Sequence, residues 1–280
     1  MVEHKSIAQT LLWRADEYKL SERDCVLQLF SYSFDGFLTS FFTPIISGAK
    51  VALLEKNMEK DPDAIKRQII AHKVTHFISV PVLYSAILDR MSPDEMKSLR
   101  IVTLAGDKAP FQLIKRSKDK APNLELVNEY GPTESTVVAS IYRNLTEDTN
   151  TIIGKPAANT KIYILSKSGN LQPIGVPGEL CISGSRLARG YLNRQDLTDL
   201  KFVSNPFVPG ERQYKTGDLG KWLPDGNIEF LGRVDFQVKI RGYRVEPAEI
   251  EAELLKHKAV KEAVVLDRTD NLQNKYLCAY

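Results

Sequence analysis

The chain has 280 residues, 43% hydrophobic and 26% charged, which is the make-up of a folded globular protein and excludes a disordered tail, a collagen-like repeat or a membrane bundle. Thirty-eight Lys plus Arg against 35 Asp plus Glu leave a net charge of +3, too small and too evenly spread for a nucleic-acid footprint. At roughly 100–200 residues per domain, the length suits one large domain or two unequal ones. Cys25, Cys181 and Cys278 lie far apart without metal-ligand spacing and read as reduced thiols of a cytoplasmic protein. No run of about 18 apolar residues offers a membrane span, and the opening Met1-Val-Glu-His-Lys5 is too polar for a signal peptide.

The first 150 residues alternate helix-like and strand-like segments. Ala8 to Tyr18 has apolar spacing suited to a helix, Cys25 to Phe30 is a short apolar run, and Phe34 to Ser47 is helix-like with Gly48 as its stop. Strands are expected at Lys50–Leu54, His76–Val80, Ile101–Leu104 and Glu125–Asn128. Helices are expected at Asp61–His72, with Asp61-Pro62 as cap and first turn, and at Val82–Met91 and Pro110–Lys118. Strands separated by helices imply βαβ units and a parallel sheet. The lysines of Lys115–Lys120 read as a solvated helix face.

Beyond residue 150 the segments shorten. Lys161–Leu165, Gly178–Ser183, Gln213–Thr216, Trp222–Leu223 and Ile228–Leu231 are candidate strands divided by Gly, Pro, Asn and Asp turns, and suggest a small antiparallel or barrel-like unit. A third piece begins near Asp235, with strands at Gln237–Ile240, Val260–Asp267 and Tyr276–Tyr280 and an amphipathic helix at Pro247–His257. The fold class is therefore α/β: a βαβ parallel-sheet core, a small β-barrel-like unit and a partial α+β C-terminal subdomain. The expected division is 1–234, of which 1–150 is α/β and 151–234 mainly β, followed by 235–280.

The four histidines form no HxxxH or HExxH pattern and no GxSxG elbow is present, so zinc and serine-hydrolase chemistry lack support. Asn128-Glu-Tyr-Gly-Pro-Thr-Glu-Ser-Thr136 follows an apolar strand, at the place where α/β sheets bind ligands. Tyr130 offers a flat face for a base, Thr133 a donor for a phosphate oxygen, and Glu134 a carboxylate suited to Mg²⁺. A structural turn with an exposed acid accounts for the same residues equally well. Tyr214-Lys-Thr-Gly-Asp218 reads as a strand running into a tight turn whose Asp can accept both hydroxyls of a ribose.

These segments, with Gly178–Gly184, Ala188–Tyr191, and Gly232 to Glu251, resemble in order and separation the adenylate-forming superfamily, and specifically the amino-acid adenylation domains of nonribosomal peptide synthetases. Pro247-Ala248 departs mildly from a commoner Leu-Gly. The resemblance implies ATP- and Mg²⁺-dependent formation of an aminoacyl-AMP, then transfer to the phosphopantetheine thiol of a carrier domain, with a condensation domain as a further neighbour. It implies that Tyr130 stacks on adenine with Asn128 and Gly131 beside it. Thr133 would contact phosphate, Glu134 would ligate Mg²⁺, and Asp218 would hold the ribose with Arg233 nearby. Asp235 would be the hinge, with Lys239 and Gly242 on a strand and loop that swing in for thiolation. A phosphate loop of the form TSGTTGxPKG is expected before Met1 and an adenylate-contacting lysine after Tyr280, so the chain is expected to be a fragment with little activity alone. An acyl- or aryl-CoA ligase of the same superfamily and a non-catalytic remnant are the competing expectations.

The resemblance also implies a substrate pocket. Asp35, in Ser33-Phe-Asp-Gly36, matches the carboxylate that pairs with a substrate α-ammonium, which argues against the CoA ligase. Gly36, Thr39, Ser79, Thr103, Ala105, Glu129, Val137 and Val138 would line the side-chain pocket. Gly36 and Ala105 leave room for a large side chain, and Thr39, Ser79, Thr103 and Glu129 favour one bearing a hydroxyl. The set resembles tyrosine-activating pockets, although several of these residues equally suit core-packing or surface roles.

Overall fold

The computed structural model describes residues 1–240, 242–269 and 275–280. Five short strands form the parallel part of the sheet: β1 (Cys25–Leu27), β2 (Lys50–Ala52), β3 (His76–Ser79), β4 (Ile101–Ala105) and β5 (Glu125–Tyr130). Their order is β2-β1-β3-β4-β5, so the winding direction reverses between β1 and β3. On one face lie α3 (Pro62–His72), α4 (Pro81–Arg90) and α5 (Phe111–Lys120). Leu27, Phe77, Val102, Leu104 and Leu126 of the strands join Ile65, Ile69, Tyr84, Ile87 and Ile114 of these helices in the main core. Asp61 caps α3, its side chain accepting from the Asp63 and Ala64 amides.

The other face carries α1 (His4–Tyr18) and α2 (Gly36–Ile46). The periodicity of α1 points to the wrong stripe. Its buried residues are Ser6, Thr10, Arg14 and Tyr18, four apart, while Leu12 is exposed. This helix is held by polar contacts that a hydrophobic pattern does not register: Ser6 donates to the Ser185 carbonyl and Thr10 to that of Thr136.

After β5 the sheet continues antiparallel through β6 (Ser140–Tyr142), β7 (Ile152–Pro156), β12 (Ile228–Arg233), β11 (Arg212–Trp222), β9 (Gly178–Gly184) and β8 (Thr160–Leu165). The β-rich region is thus hydrogen-bonded strand to strand onto the parallel sheet. The expected strands at 213–216 and 222–223 are one strand, β11. The supposed tight turn before Asp218 is a bulge inside it, where Gly217 takes φ 75° and the register to β9 shifts. The short β10 (Phe202–Ser204) pairs with β11 after α6 (Gln195–Lys201).

In the last piece, β13 (Val238–Ile240) and β14 (Tyr243–Val245) form a hairpin, α7 (Pro247–Leu254) follows, and β15 (Val265–Thr269) pairs with β16 (Lys275–Ala279). The strand expected from Val260 begins only at Val265; residues 258–264 are irregular. Arg241, within the quoted Gly232–Glu251 stretch, lies outside the described residues. Among the described residues, no helix is long and apolar enough to cross a membrane.

Candidate nucleotide and amino-acid site

The candidate residues gather at the carboxyl ends of the parallel strands, beside the reversal in strand order. Asp35 and Gly36 follow β1, Ser79 ends β3, Ala105 ends β4 and Tyr130 ends β5. Loops at this edge of an open α/β sheet form a crevice, because the strand order there diverges and leaves the loops apart.

Four of the motif residues form one hydrogen-bonded chain. Tyr130 is buried, its hydroxyl donating to Asp218 Oδ2. Arg233 donates from Nη1 to Asp218 Oδ1 at 2.6 Å, and from Nε and Nη2 to the two oxygens of Asp235 at 2.6 and 2.7 Å. Burial works against the Asp235 carboxylate, but the guanidinium prevails and holds its pKa below the ordinary value. Asn128 spends its side-chain amide on the Ile152 carbonyl at 2.8 Å. Lys239 lies near, its pKa lowered by burial against the pull of Asp218 and Asp107.

Thr133 and Glu134 occupy a 3-10 turn, Thr133–Ser135. Thr133 is exposed and donates to Asp35 Oδ2, joining the motif after β5 to the one after β1. Glu134 is buried, not the exposed acid of the structural alternative. It accepts from Tyr191 at 2.6 Å and from Arg244 at 3.1 Å. Burial raises its pKa, yet Arg244 and Tyr191 bring the net shift below the ordinary value. No cluster of three or more His, Cys, Asp or Glu suits a metal ion among the described residues. A lone carboxylate still fits Mg²⁺, which takes one or two carboxylates and completes its shell with phosphates and water. In this structure the Glu134 carboxylate is taken by Arg244 and Tyr191.

The loop from Gly131 to Val138 closes on itself. A Cβ on Gly131 would lie 2.4 Å from the Val137 carbonyl oxygen and 2.6 Å from the Ala139 nitrogen, so no larger residue fits. Ala139 N–H donates to the Tyr130 carbonyl at 2.7 Å, pinning the neck. At the far end Thr136 and Val137 have φ of 62° and 75°, a conformation that β-branched residues rarely hold. The Val138 N–H donates to the Thr136 carbonyl at 3.0 Å, making a γ-turn on Val137. Thr10 and Arg186 bind Thr136 from either side.

The remaining pocket residues are placed as follows. Thr39 is buried and donates to the Gly36 carbonyl; Ser79 is buried and donates to that of Val80; Val138 is buried, and Ala105 and Val137 are half-buried. Gly36 corrects its expectation. A Cβ there would lie 2.9 Å from the Phe30 ring, so the space left by glycine is filled by Phe30 and is not room for a ligand. Thr103 and Glu129 meet at residues the motifs did not include. Arg14 Nε donates to Glu129 Oε1 at 2.9 Å, Tyr18 OH to the same oxygen at 2.7 Å, and Thr103 lies 2.9 Å from Tyr18 OH. The sequence signal for Arg14 and Tyr18 was their spacing of four on α1, in line with Ser6 and Thr10.

The hairpin β13–β14 covers this crevice. Tyr243 packs edge-on against Phe34 with ring centroids 5.4 Å apart, Lys60 donates to its hydroxyl at 2.8 Å, and Gly242 abuts Val80.

A family model described as "AMP-binding enzyme" matches residues 1–192. The chain is 50% identical over 280 residues to gramicidin S synthase 2 of Aneurinibacillus migulanus, covering 100% of this chain and 6% of that protein. Its fold is similar to the Vibrio cholerae adenylation domain AlmE in complex with glycyl-adenosine-5'-phosphate, at TM-score 0.88 and 26% identity over 99% of this chain and 53% of the other. It is also similar to holo-PA1221, an NRPS protein containing adenylation and PCP domains bound to a vinylsulfonamide inhibitor, at TM-score 0.84 and 27% identity over 93% of this chain and 46% of that one.

Proposed function

Because the chain belongs to the AMP-binding enzyme family, we propose that it activates an amino acid with ATP for nonribosomal peptide synthesis. The observation that carries this reading is the Thr133–Asp35 hydrogen bond, which sets a candidate ammonium partner beside a candidate phosphate contact. An amino acid held by its ammonium at Asp35 presents its carboxylate toward Thr133. A carboxylate oxygen attacks the α-phosphorus, the bond to pyrophosphate breaks, and aminoacyl-AMP forms. Alignment and charge neutralisation supply most of the acceleration.

Asp218 and Asn128 are proposed to hold the ribose and the adenine edge, with Tyr130 and Gly131 forming the adjoining wall and Arg233 fixing Asp218. Glu134 would hold Mg²⁺, which neutralises phosphate charge when bound. The second half-reaction is proposed to move the acyl group to the phosphopantetheine thiol of a carrier domain: the sulfur attacks the carbonyl and AMP leaves. The chain is proposed to divide at Asp235 into 1–234 and 235–280, the hairpin bearing Lys239 and Gly242 being docked for that step. Thr39, Ser79, Thr103, Ala105, Glu129, Val137 and Val138 are proposed to select tyrosine or another large aromatic side chain.

Amino-acid-dependent ATP–pyrophosphate exchange by the native enzyme, run with tyrosine, phenylalanine, tryptophan, leucine, threonine and aryl acids, tests this. Tyrosine is expected to lead and Asp35→Ala to abolish the exchange, since an ammonium would enter a site without its counter-charge. Exchange driven by aryl acids and indifferent to Asp35→Ala would overturn the reading in favour of a CoA ligase.

A further inference from the structure

A small cavity of about 20 Å³ lies beneath Thr103, walled by Arg14 and Tyr18 of α1, Pro44 of α2, His76 and Ile78 of β3, and Thr103 of β4. Ile78 and Thr103 are register partners, so they and His76 face the same side of the sheet. One buried polar atom of a wall residue lacks a partner among the described residues: His76 Nε2. Buried polar groups are ordinarily hydrogen-bonded, and an orphan on a cavity wall points to something in the cavity. About 10–15 Å³ suffices for one water-sized group.

The surroundings define what that group must be. Tyr18 OH donates to Glu129, so the Thr103 hydroxyl donates to Tyr18 and its own lone pairs remain free. His76 Nδ1 lies 2.7 Å from Thr75 Oγ1 and 3.7 Å from Asp24, partners that favour the proton on Nδ1. Nε2 is then an acceptor. Burial lowers the His76 pKa to about 4 despite Asp24, so the ring is neutral near pH 7. Two acceptors on the wall of a small space call for a donor, and Arg14 beside them opposes an ammonium, which favours a neutral O–H.

We propose that this cavity is the floor of the side-chain pocket and holds one O–H donor on His76 Nε2: a water in the free protein, the terminal hydroxyl of the substrate's side chain in the amino-acid complex. The substrate arm rests on the reading that Asp35 binds an amino acid.

Long-range ¹H–¹⁵N NMR of the His76 ring tests both arms. In the free protein the ring is expected as the Nδ1–H tautomer, with a hydrogen-bonded Nε2 in contact with water. Tyrosine should remove the water contact and shift Nε2, while phenylalanine leaves it in place. Thr103→Val and His76→Phe should each lower the tyrosine-over-phenylalanine affinity ratio about tenfold, the equivalent of one hydrogen bond. A dry cavity, or an Nε2–H tautomer, overturns the proposal; Thr103→Val and the wild-type spectrum decide it even if His76→Phe does not fold. If amino acids bind through Asp35 but neither the spectrum nor the ratio responds to the hydroxyl, the substrate arm is wrong and the Asp35 reading stands. If no amino acid binds, both fall together, and Asp35→Ala is then silent.

Discussion

Arg244 Nη1 lies 3.1 Å from each carboxylate oxygen of Glu134, across 110 residues of chain. The guanidinium comes from the docked hairpin and the carboxylate from the turn after β5. One carboxylate cannot serve the guanidinium and a divalent cation in the same position.

Arg244→Gln is therefore expected to lower the Mg²⁺ concentration needed for half-maximal pyrophosphate exchange. It should also destabilise the fold by about 1–2 kcal/mol, since Glu134 keeps Tyr191 but loses its charge partner. In the wild type the depressed pKa gives stability that is present above the ordinary carboxylate value and lost as pH falls. Without the Arg244 charge, burial weighs more heavily against the Tyr191 hydrogen bond, so the Glu134 pKa should rise relative to the wild type and less of this stability should remain above it. Carboxyl ¹³C titration of both proteins reads the rise directly.

The Arg14–Glu129 pair has side chains only 5% and 4% exposed. Removing either partner leaves a buried charge, so Arg14→Met and Glu129→Leu should each destabilise by about 3–5 kcal/mol. The double variant should lose much less than the sum. Urea denaturation of the four proteins completes the cycle; simple additivity would mean that the two groups do not share their burial.

The neutral, buried His76 makes stability depend on pH. The unfolded chain takes up a proton near pH 6.5, the folded chain only near 4. Its contribution is complete above the unfolded value and falls away between the two, by up to on the order of 3 kcal/mol. Wild-type stability should drop from pH 7 to pH 4.5 more steeply than that of His76→Gln, measured by urea denaturation across that range.

Val137 holds φ 75°. Such strain is worth about 1–3 kcal/mol, while glycine loses roughly 0.5–1 kcal/mol in backbone entropy. Val137→Gly should leave stability unchanged or raise it by about 1 kcal/mol, and Val138→Gly, which empties a buried site, should lower it. Thermal denaturation of the pair shows whether the γ-turn is strained.

The parallel strands were legible because each is an apolar run bounded by a turn, and the motif residues sit where those runs end. The wiring between them was not. Arg14 occupies a core position on α1 that a hydrophobic pattern assigns to solvent, and its reason is a carboxylate 115 residues away. Arg244 is equally unreadable without its distant partner. The short β6 and β7 escaped notice because three to five residues carry too little alternation to stand out. Gly36 looked like an opening only because the sequence does not show that Phe30 fills it.

The closed loop at Gly131 bears on how this site can be re-engineered. Asn128 to Tyr130 lead into its neck and Val137 and Val138 lead back out of it, with a hydrogen bond and a forbidden Cβ holding the ends together. Residues at the two ends therefore travel as one cassette. A graft meant to change substrate preference should exchange 130–139 as a block, because point changes at 137 or 138 are inherited by a backbone already fitted to the motif at its other end.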